Sequence, residues 1–202
     1  MKMPVIAIDI DDVLADHAKG FTKFSNERYG TKFNPDDYNE HWANIWGIDN
    51  IETEKRAREF YESGVLLTYD HVPTSLNVLK KLKKKYNLMI ITSRSKQVQG
   101  DTIAWMNKYY NGLFRIEDIK FAGIWDDIND TSIHKTKGNI IKNFNAEYLI
   151  DDQIKHCISA SELGIKALLF GDYSWNRCEV LPKGIKRVSN WQEVEDYFDE
   201  IK

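Results

Sequence analysis

Near the amino terminus the chain reads Val5-Ile6-Ala7-Ile8-Asp9-Ile10-Asp11-Asp12-Val13-Leu14-Ala15-Asp16, four apolar residues running straight into carboxylates. A continuous apolar run of this kind suits a strand covered on both faces, as in a parallel sheet flanked by helices. Asp is disfavoured in strand interiors, so the acidic cluster belongs at the carboxyl end of that strand or in the loop after it. Asp9 and Asp11 are two residues apart and project to the same side of an extended backbone. Carboxylates held this close repel one another and call for a cation between them. Hard oxygen ligands select Mg²⁺ or Ca²⁺ over zinc. A turn with an Asx cap would explain an isolated Asp-x-Asp equally well, so the rest of the chain has to decide.

Similar runs recur at residues 88–91, 148–150 and 167–170. Amphipathic stretches lie between them. Leu76, Leu79, Leu82 and Tyr86 follow helical spacing after Pro73-Thr74, and Ile103, Met106, Tyr109 and Tyr110 do so before Gly112. Further helical patterns run through Ile140, Ile141 and Phe144, through Ile154, Ile158 and Leu163, and through Trp191, Val194, Phe198 and Ile201. This alternation predicts an α/β fold: a doubly wound, mainly parallel Rossmann-like sheet. Residues 18–69 interrupt it. They hold no strand pattern, many aromatics and polar turns that divide them into about three helical pieces. A crossover needs only about a dozen residues, so the excess predicts a helical cap inserted after the first strand, with residues 1–17 and 70–202 forming the core. Most of the cap aromatics are expected to pack; Phe21, Trp42 and Trp46 are the candidates for facing a substrate, because ligands bind where strand carboxyl ends meet inserted elements.

Composition narrows the function. Of 202 residues, 42% are apolar and 12% aromatic, enough for a substantial core. Lys and Arg number 28 against 31 Asp and Glu, a net charge of −3 that argues against a strongly basic nucleic-acid binder. Cys157 and Cys178 lack metal-ligand spacing and read as reduced thiols. No segment approaches the roughly 20 apolar residues of a membrane span, and Asp9 ends the first apolar run too early for a signal peptide. The chain therefore reads as cytoplasmic. The histidines at 17, 41, 71, 134 and 156 show no ligand spacing and read as surface or packing residues.

Chemistry gathers at the strand ends. Asp151-Asp152 closes the 148–150 run, and Thr92-Ser93-Arg94 closes the 88–91 run. A parallel sheet puts all of these on one edge with Asp9 and Asp11. A hydroxyl and backbone N–H groups entering a helix suit a phosphate oxygen. In His134-Lys135-Thr136-Lys137-Gly138, ahead of the next helical pattern, Lys137 opens the helix directly and is favoured over Lys135 to reach the same edge. Acidic pairs, a hydroxyl and a cation in one place are what phosphoryl transfer requires.

In this order the residues resemble the four motifs of the haloacid dehalogenase superfamily of phosphohydrolases: Asp9-Ile10-Asp11, Thr92, Lys137 and Asp151-Asp152. Residues 9–16, 91–94 and 148–152 are similar to the 5′(3′)-deoxyribonucleotidase group and its bacterial and phage relatives. That group commonly has glycine where Asp12 stands, and carries a small helical cap where residues 18–69 fall. The resemblance implies a Mg²⁺-dependent phosphomonoesterase of nucleoside monophosphates. Asp9 would be the nucleophile that forms an aspartyl-phosphate, and Asp11 the general acid and base. Thr92, Ser93, Lys137 and Arg94 would bind phosphate. Mg²⁺ would sit on Asp9, the carbonyl of Asp11 and the acidic pair, Asp152 ahead of Asp151. A phosphatase of another small metabolite or of a nucleic-acid 3′ end, and a non-catalytic nucleotide-binding regulator, are the rival readings. A dehalogenase is disfavoured because Asp11 supplies a second carboxylate that such enzymes lack. A receiver-type signalling domain orders its phosphoacceptor, hydroxyl and lysine differently.

Overall fold

The computed structural model describes residues 3–126 and 134–201. Strands β1 (Val5–Ile8), β2 (Asn87–Thr92), β3 (Ile119–Phe121), β4 (Ala146–Asp151), β5 (Lys166–Phe170) and β6 (Ile185–Val188) form one parallel sheet in the order β3-β2-β1-β4-β5-β6. Helices α1 (His17–Tyr29), α2 (Trp42–Trp46) and α3 (Asn50–Glu62) lie between β1 and β2, followed by α4 (Ser75–Leu82). The later helices are α5 (Gln99–Tyr110), α6 (Gly138–Asn143), α7 (Ile154–Glu162) and α8 (Trp191–Glu200).

Strand side chains alternate between two apolar layers. Ile6, Ile8, Leu88 and Ile90 face α4, α5 and α8, where they meet Leu79, Trp105 and Trp191. Ala7, Met89, Ile91 and Leu149 face the other way, onto Ile141 of α6 and Cys157 and Ala160 of α7. Burial on both faces is the reason these strands are apolar without interruption. Ile6, Ile8, Ile90 and Leu149 are wholly inaccessible, each worth about 1.5–3 kcal/mol over exposure.

Two strands were not predicted from the sequence, and both lie at sheet edges. β3 is three half-buried residues, and in β6 the buried Ile185 and Val188 flank the charged pair Lys186-Arg187. Edge strands lack neighbours on one side, so their sequences carry no continuous apolar run.

The polar turns of residues 30–50 end and start helices as their chemistry dictates. Gly30 and Gly47 close α1 and α2 at φ +67° and +64°, a left-handed backbone that favours glycine. Asp49 caps α3 by accepting from the Glu52 N–H. Phe21, Trp46 and Phe60 from this segment join the same apolar layer as Ile8 and Ile10.

From β1 the chain winds outward through β2 and β3 on one side, and through β4, β5 and β6 on the other. Such a reversal opens a crevice at the carboxyl ends of the central strands, here β1 and β4. Among the described residues no helix is long and apolar enough to cross a membrane. Cys157 is buried, Cys178 is exposed, and neither is in a disulfide.

Candidate active site

The loop after β1 is a tight, buried turn. Asp9 extends the pairing with β4, its N–H donating to Ile150 O at 3.0 Å. The N–H groups of Val13, Leu14 and Ala15 converge on Ile10 O. Side chains from three distant elements pin the loop's carbonyls: Tyr173 donates to Asp12 O at 2.8 Å, Trp191 to Val13 O at 2.9 Å and Tyr110 to Leu14 O at 3.2 Å. Asp12 has φ +55°, the conformation glycine adopts most easily. Its carboxylate accepts from the Ala18 N–H at 3.0 Å, which caps the first turn of α1.

Lys137 occupies the centre. It is 0% exposed, and its Nζ lies 2.7 Å from Asp9 Oδ2 and 2.9 Å from Asp151 Oδ2. Lys135 is exposed. The residue after Lys137 must be glycine, because a Cβ on Gly138 would sit 2.3 Å from Ser159 Oγ and 2.9 Å from Ser159 O on α7. Close contact between α6 and α7 thus sets Lys137 at the strand ends.

Asp9, Asp151 and Asp152 each offer a carboxylate oxygen, and these atoms lie within 4.8 Å of one another. Burial pushes Asp9 up to about 7; Lys137 opposes that rise, and Asp151 and Asp11 add to it. Burial also lifts Asp152 well above the usual carboxylate range, helped by Asp151, Asp9 and Asp12. Buried Asp9, Asp12, Asp151 and Asp152 outnumber the buried cations Lys137 and Arg94. An all-oxygen donor set with surplus negative charge fits a hard divalent cation. The acidic pair is divided by its hydrogen bonds. Asp151 has both oxygens engaged, by Lys137 and by the Gln153 N–H at 2.9 Å. Among the described residues Asp152 accepts on Oδ2, from Trp175 Nε1 at 2.6 Å and Gln153 Nε2 at 2.8 Å, and no donor to Oδ1 is found.

Thr92, the last residue of β2, is fully buried and accepts from the Arg94 N–H at 3.1 Å. Ser93 lines the cavity, with Oγ 3.5 Å from His156 Nε2. Arg94 is engaged by Asp11 and Thr102. Its Nη2 donates to Asp11 Oδ1 at 2.7 Å, its Nε reaches both Asp11 oxygens at 3.1 Å, and Nη1 donates to Thr102. Burial pushes Asp11 up, but Arg94 and then His17 outweigh it and hold the carboxyl below the usual range.

A cavity opens from these groups toward residues 38–66. Its far walls are Tyr38, Trp42, Phe60, Tyr61 and Trp125, with Glu40 and His41 among them. Of the three candidate aromatics, only Trp42 lines it. Phe21 and Trp46 stand behind the wall: Phe21 is fully buried against Trp42, Trp46 and Phe60, and the Trp46 indole donates to Ser25 Oγ. Helical spacing marks an apolar face but not which ring ends at the surface of a cavity.

Two of the histidines expected to be surface or packing residues also border the cavity. His17 lines the cavity, hydrogen-bonded to Tyr69 at 3.1 Å and Tyr38 at 3.0 Å and 3.6 Å from Asp11. His41 also lines it, 9% exposed, with an Nδ1 that has no hydrogen-bond partner. Neither has ligand spacing in sequence, since each reaches the site through tertiary packing. Trp175 was also missed, and nothing in its local sequence marks it.

Residues 3–201 match the family model described as 5′ nucleotidase, deoxy (pyrimidine), cytosolic type C protein. Two curated proteins of Staphylococcus epidermidis strains, both named "Putative 5′(3′)-deoxyribonucleotidase", are 26% and 28% identical to the chain. Each match covers 98% of the chain and 97% of the relative. In fold the chain is similar to a haloacid dehalogenase-like family hydrolase from Streptococcus pneumoniae, with TM-score 0.70, 15% identity and coverage of 97% and 98% of the two chains. A HAD hydrolase of family IA, variant 3, from Entamoeba histolytica gives TM-score 0.64 at 19% identity, covering 98% and 99%. A family match over nearly the whole length makes the chain a phosphomonoester hydrolase that belongs to the cytosolic type C 5′ nucleotidase family, with a fold similar to that of haloacid dehalogenase-like hydrolases.

Proposed function

We propose that the chain is a Mg²⁺-dependent 5′(3′)-nucleotidase that cleaves (deoxy)nucleoside monophosphates through an aspartyl-phosphate on Asp9. The observation that carries this reading is the buried Lys137, held 2.7 Å from Asp9, which lines an aromatic-walled cavity. A lysine there opposes the upward push of burial on Asp9, favouring its ionised form, and orients it, as a carboxylate nucleophile needs.

In the first half-reaction an oxygen of Asp9 bonds to phosphorus, the ester P–O bond breaks, and Asp11 gives its proton to the departing oxygen. In the second, a water oxygen bonds to phosphorus, the bond to Asp9 breaks, and Asp11 takes the proton from that water. Inorganic phosphate leaves and both carboxyls return to their starting state. Asp11 has to part from Arg94, which holds it ionised, both to take up the proton it delivers and to reach the leaving oxygen; the parting frees the guanidinium for the phosphoryl group. Thr92, Ser93 and Lys137 supply the remaining phosphate contacts, the electrostatic part of the rate. Asp9, Asp152 and the Asp11 carbonyl would hold Mg²⁺, with Asp151 bracing Lys137; the cation supplies the neutralisation that lets an anionic carboxylate meet an anionic substrate.

Residues 18–69 act as the cap over this site. They meet the core through Lys155–Glu40 at 2.8 Å and through Ser174, which donates to Asp36 O at 2.6 Å. The planar rings of Trp42, Tyr61 and Trp125 suit a nucleobase. The balanced charge supports a mononucleotide over a nucleic-acid strand, and unpaired thiols are in keeping with a cytoplasmic enzyme.

The test is phosphate release from 5′- and 3′-monophosphates of ribo- and deoxyribonucleosides, beside sugar phosphates, in Mg²⁺ and in EDTA. Mg²⁺-dependent release is expected. Asp9→Asn should lower it about 10⁴-fold or more, and acid-quench mass spectrometry should find the phosphoryl group on the Asp9 peptide. Wild-type release by Asp9→Asn, or full activity in EDTA, overturns the reading.

A further inference from the structure

The short turn after β5, Ser174–Asn176, plays no part in the scheme above, yet it touches the acidic pair more closely than any other segment outside the strand ends and Lys137. The Trp175 indole donates to Asp152 Oδ2 at 2.6 Å. Asn176 Nδ2 donates to the main-chain oxygen of the same residue at 2.9 Å and to Phe170 O at 2.9 Å. The indole is itself held from both sides. Tyr173 stacks on it at 4.6 Å with the planes 4° apart, and Tyr38 meets it edge-on at 5.3 Å. Gly171 permits this fold-back: it sits at φ +77°, and a Cβ there would fall 2.2 Å from the Tyr173 ring.

An indole N–H can only donate, and a short bond from it to a charged carboxylate is among the stronger kinds. Together with Gln153 Nε2 it occupies one oxygen of Asp152, whereas Asp151 has both oxygens taken by Lys137 and the Gln153 N–H. We infer that Trp175 is a positioning residue for the divalent cation: by fixing Oδ2 of Asp152 it leaves Oδ1 turned toward the ion. This rests on the metal reading above and goes beyond it, because it says why the second carboxylate of the pair, not the first, is the ligand. It also makes one ring common to the cation site and to residue 38 of the helical segment.

The experiment is calorimetric titration of the metal-free protein with Mg²⁺, for wild type, Trp175→Phe and Asp152→Asn. Thermal unfolding in EDTA runs beside it. Loss of an outer partner of a metal ligand typically weakens affinity by 10–100-fold. Trp175→Phe is expected to weaken Mg²⁺ binding by about 10-fold or more, to unfold in EDTA near the wild-type temperature, and to regain turnover as Mg²⁺ is raised. Unchanged Mg²⁺ affinity in a folded Trp175→Phe protein overturns the inference. Should that variant unfold early in EDTA, Gln153→Leu removes the other donor to the same oxygen from a half-buried side chain. Weaker Mg²⁺ binding there supports the clamp on Oδ2, and wild-type binding refutes it. Asp152→Asn separates the two claims: if it binds Mg²⁺ as wild type does, the metal reading itself falls, whatever Trp175 does.

Discussion

The two ends of the cavity are built on opposite principles. At the strand ends, backbone geometry places every group: Thr92 terminates β2, Asp151 terminates β4, and Asp9 continues the β1–β4 pairing. There both buried cations are paired, Lys137 between Asp9 and Asp151, and Arg94 on Asp11, with Asp12 and Asp152 left in excess. At the far end, side chains from helices and turns supply rings, and His41 Nδ1 stays buried without a partner. A buried polar atom left unpaired costs about 1–3 kcal/mol, and among the described residues His156 Nδ1, behind Ser93, carries the same cost. The difference separates chemistry from selection. Substitutions at the strand ends should stop the reaction for every ester alike; those at the far end should change which ester is taken.

Lys137→Met tests the first half most severely. It leaves Asp9 and Asp151 buried and facing each other with no cation, and breaking a buried pair in this way costs about 3–5 kcal/mol. Urea unfolding in EDTA should show that loss, with part of it recovered in Mg²⁺, which binds only the folded chain. The turnover number should fall about 10³-fold, equally for a nucleotide and for deoxyribose 5-phosphate. A loss confined to one of these esters would break the division between the two ends.

That division also decided what could be read from the sequence. The strands β1, β2, β4 and β5 announce themselves because both faces are buried, and their acidic or hydroxyl ends follow from parallel pairing. β3 and β6, at the edges, do not. Lys137 is legible because Lys137-Gly138 directly opens a helical pattern, whereas the close contact with Ser159 that the glycine permits is visible only in the fold. Arg94 was legible as a residue of the site but not in its partner, since Asp11 is 83 positions away. His17, His41 and Trp175 arrive by packing between elements distant in sequence, and no local pattern encodes that. Trp42 and Trp46 show the limit most clearly. Four residues apart, they share a helix face, yet one lines the cavity and the other closes over Ser25.

Trp42→Leu sharpens the second half. It keeps apolar volume against Phe21 and Phe60 while removing the ring from the cavity wall. Stacking of a base on an aromatic side chain is worth about 1–3 kcal/mol, so kcat/KM for nucleoside monophosphates should drop roughly 5- to 150-fold. Deoxyribose 5-phosphate, which has no base, should be hydrolysed as before. Parallel losses on both substrates would show that Trp42 acts through packing and that the far end does not select by ring.

Asp12 sits at the boundary between the two regions, and its substitution should have the smallest effect. Its left-handed backbone carries a cost of about 1 kcal/mol that glycine escapes, while its carboxylate gains a similar amount, about 1 kcal/mol, by capping Ala18. Asp12→Gly gives up the cap and relieves the strain, so urea unfolding should find it within about 0.5 kcal/mol of wild type. Asp12→Ala gives up the cap and keeps the strain, and should lose about 1–2 kcal/mol. Equal losses in the two variants would mean that the backbone here is unstrained and that the cap alone matters. A stabilised Asp12→Gly would mean the reverse, that the carboxylate contributes little to α1 and that repulsion from Asp9 and Asp11 dominates its energetics. Either result bears on the joint itself, because Asp12 ties the loop after β1 to the first turn of the helix that leads into the far wall.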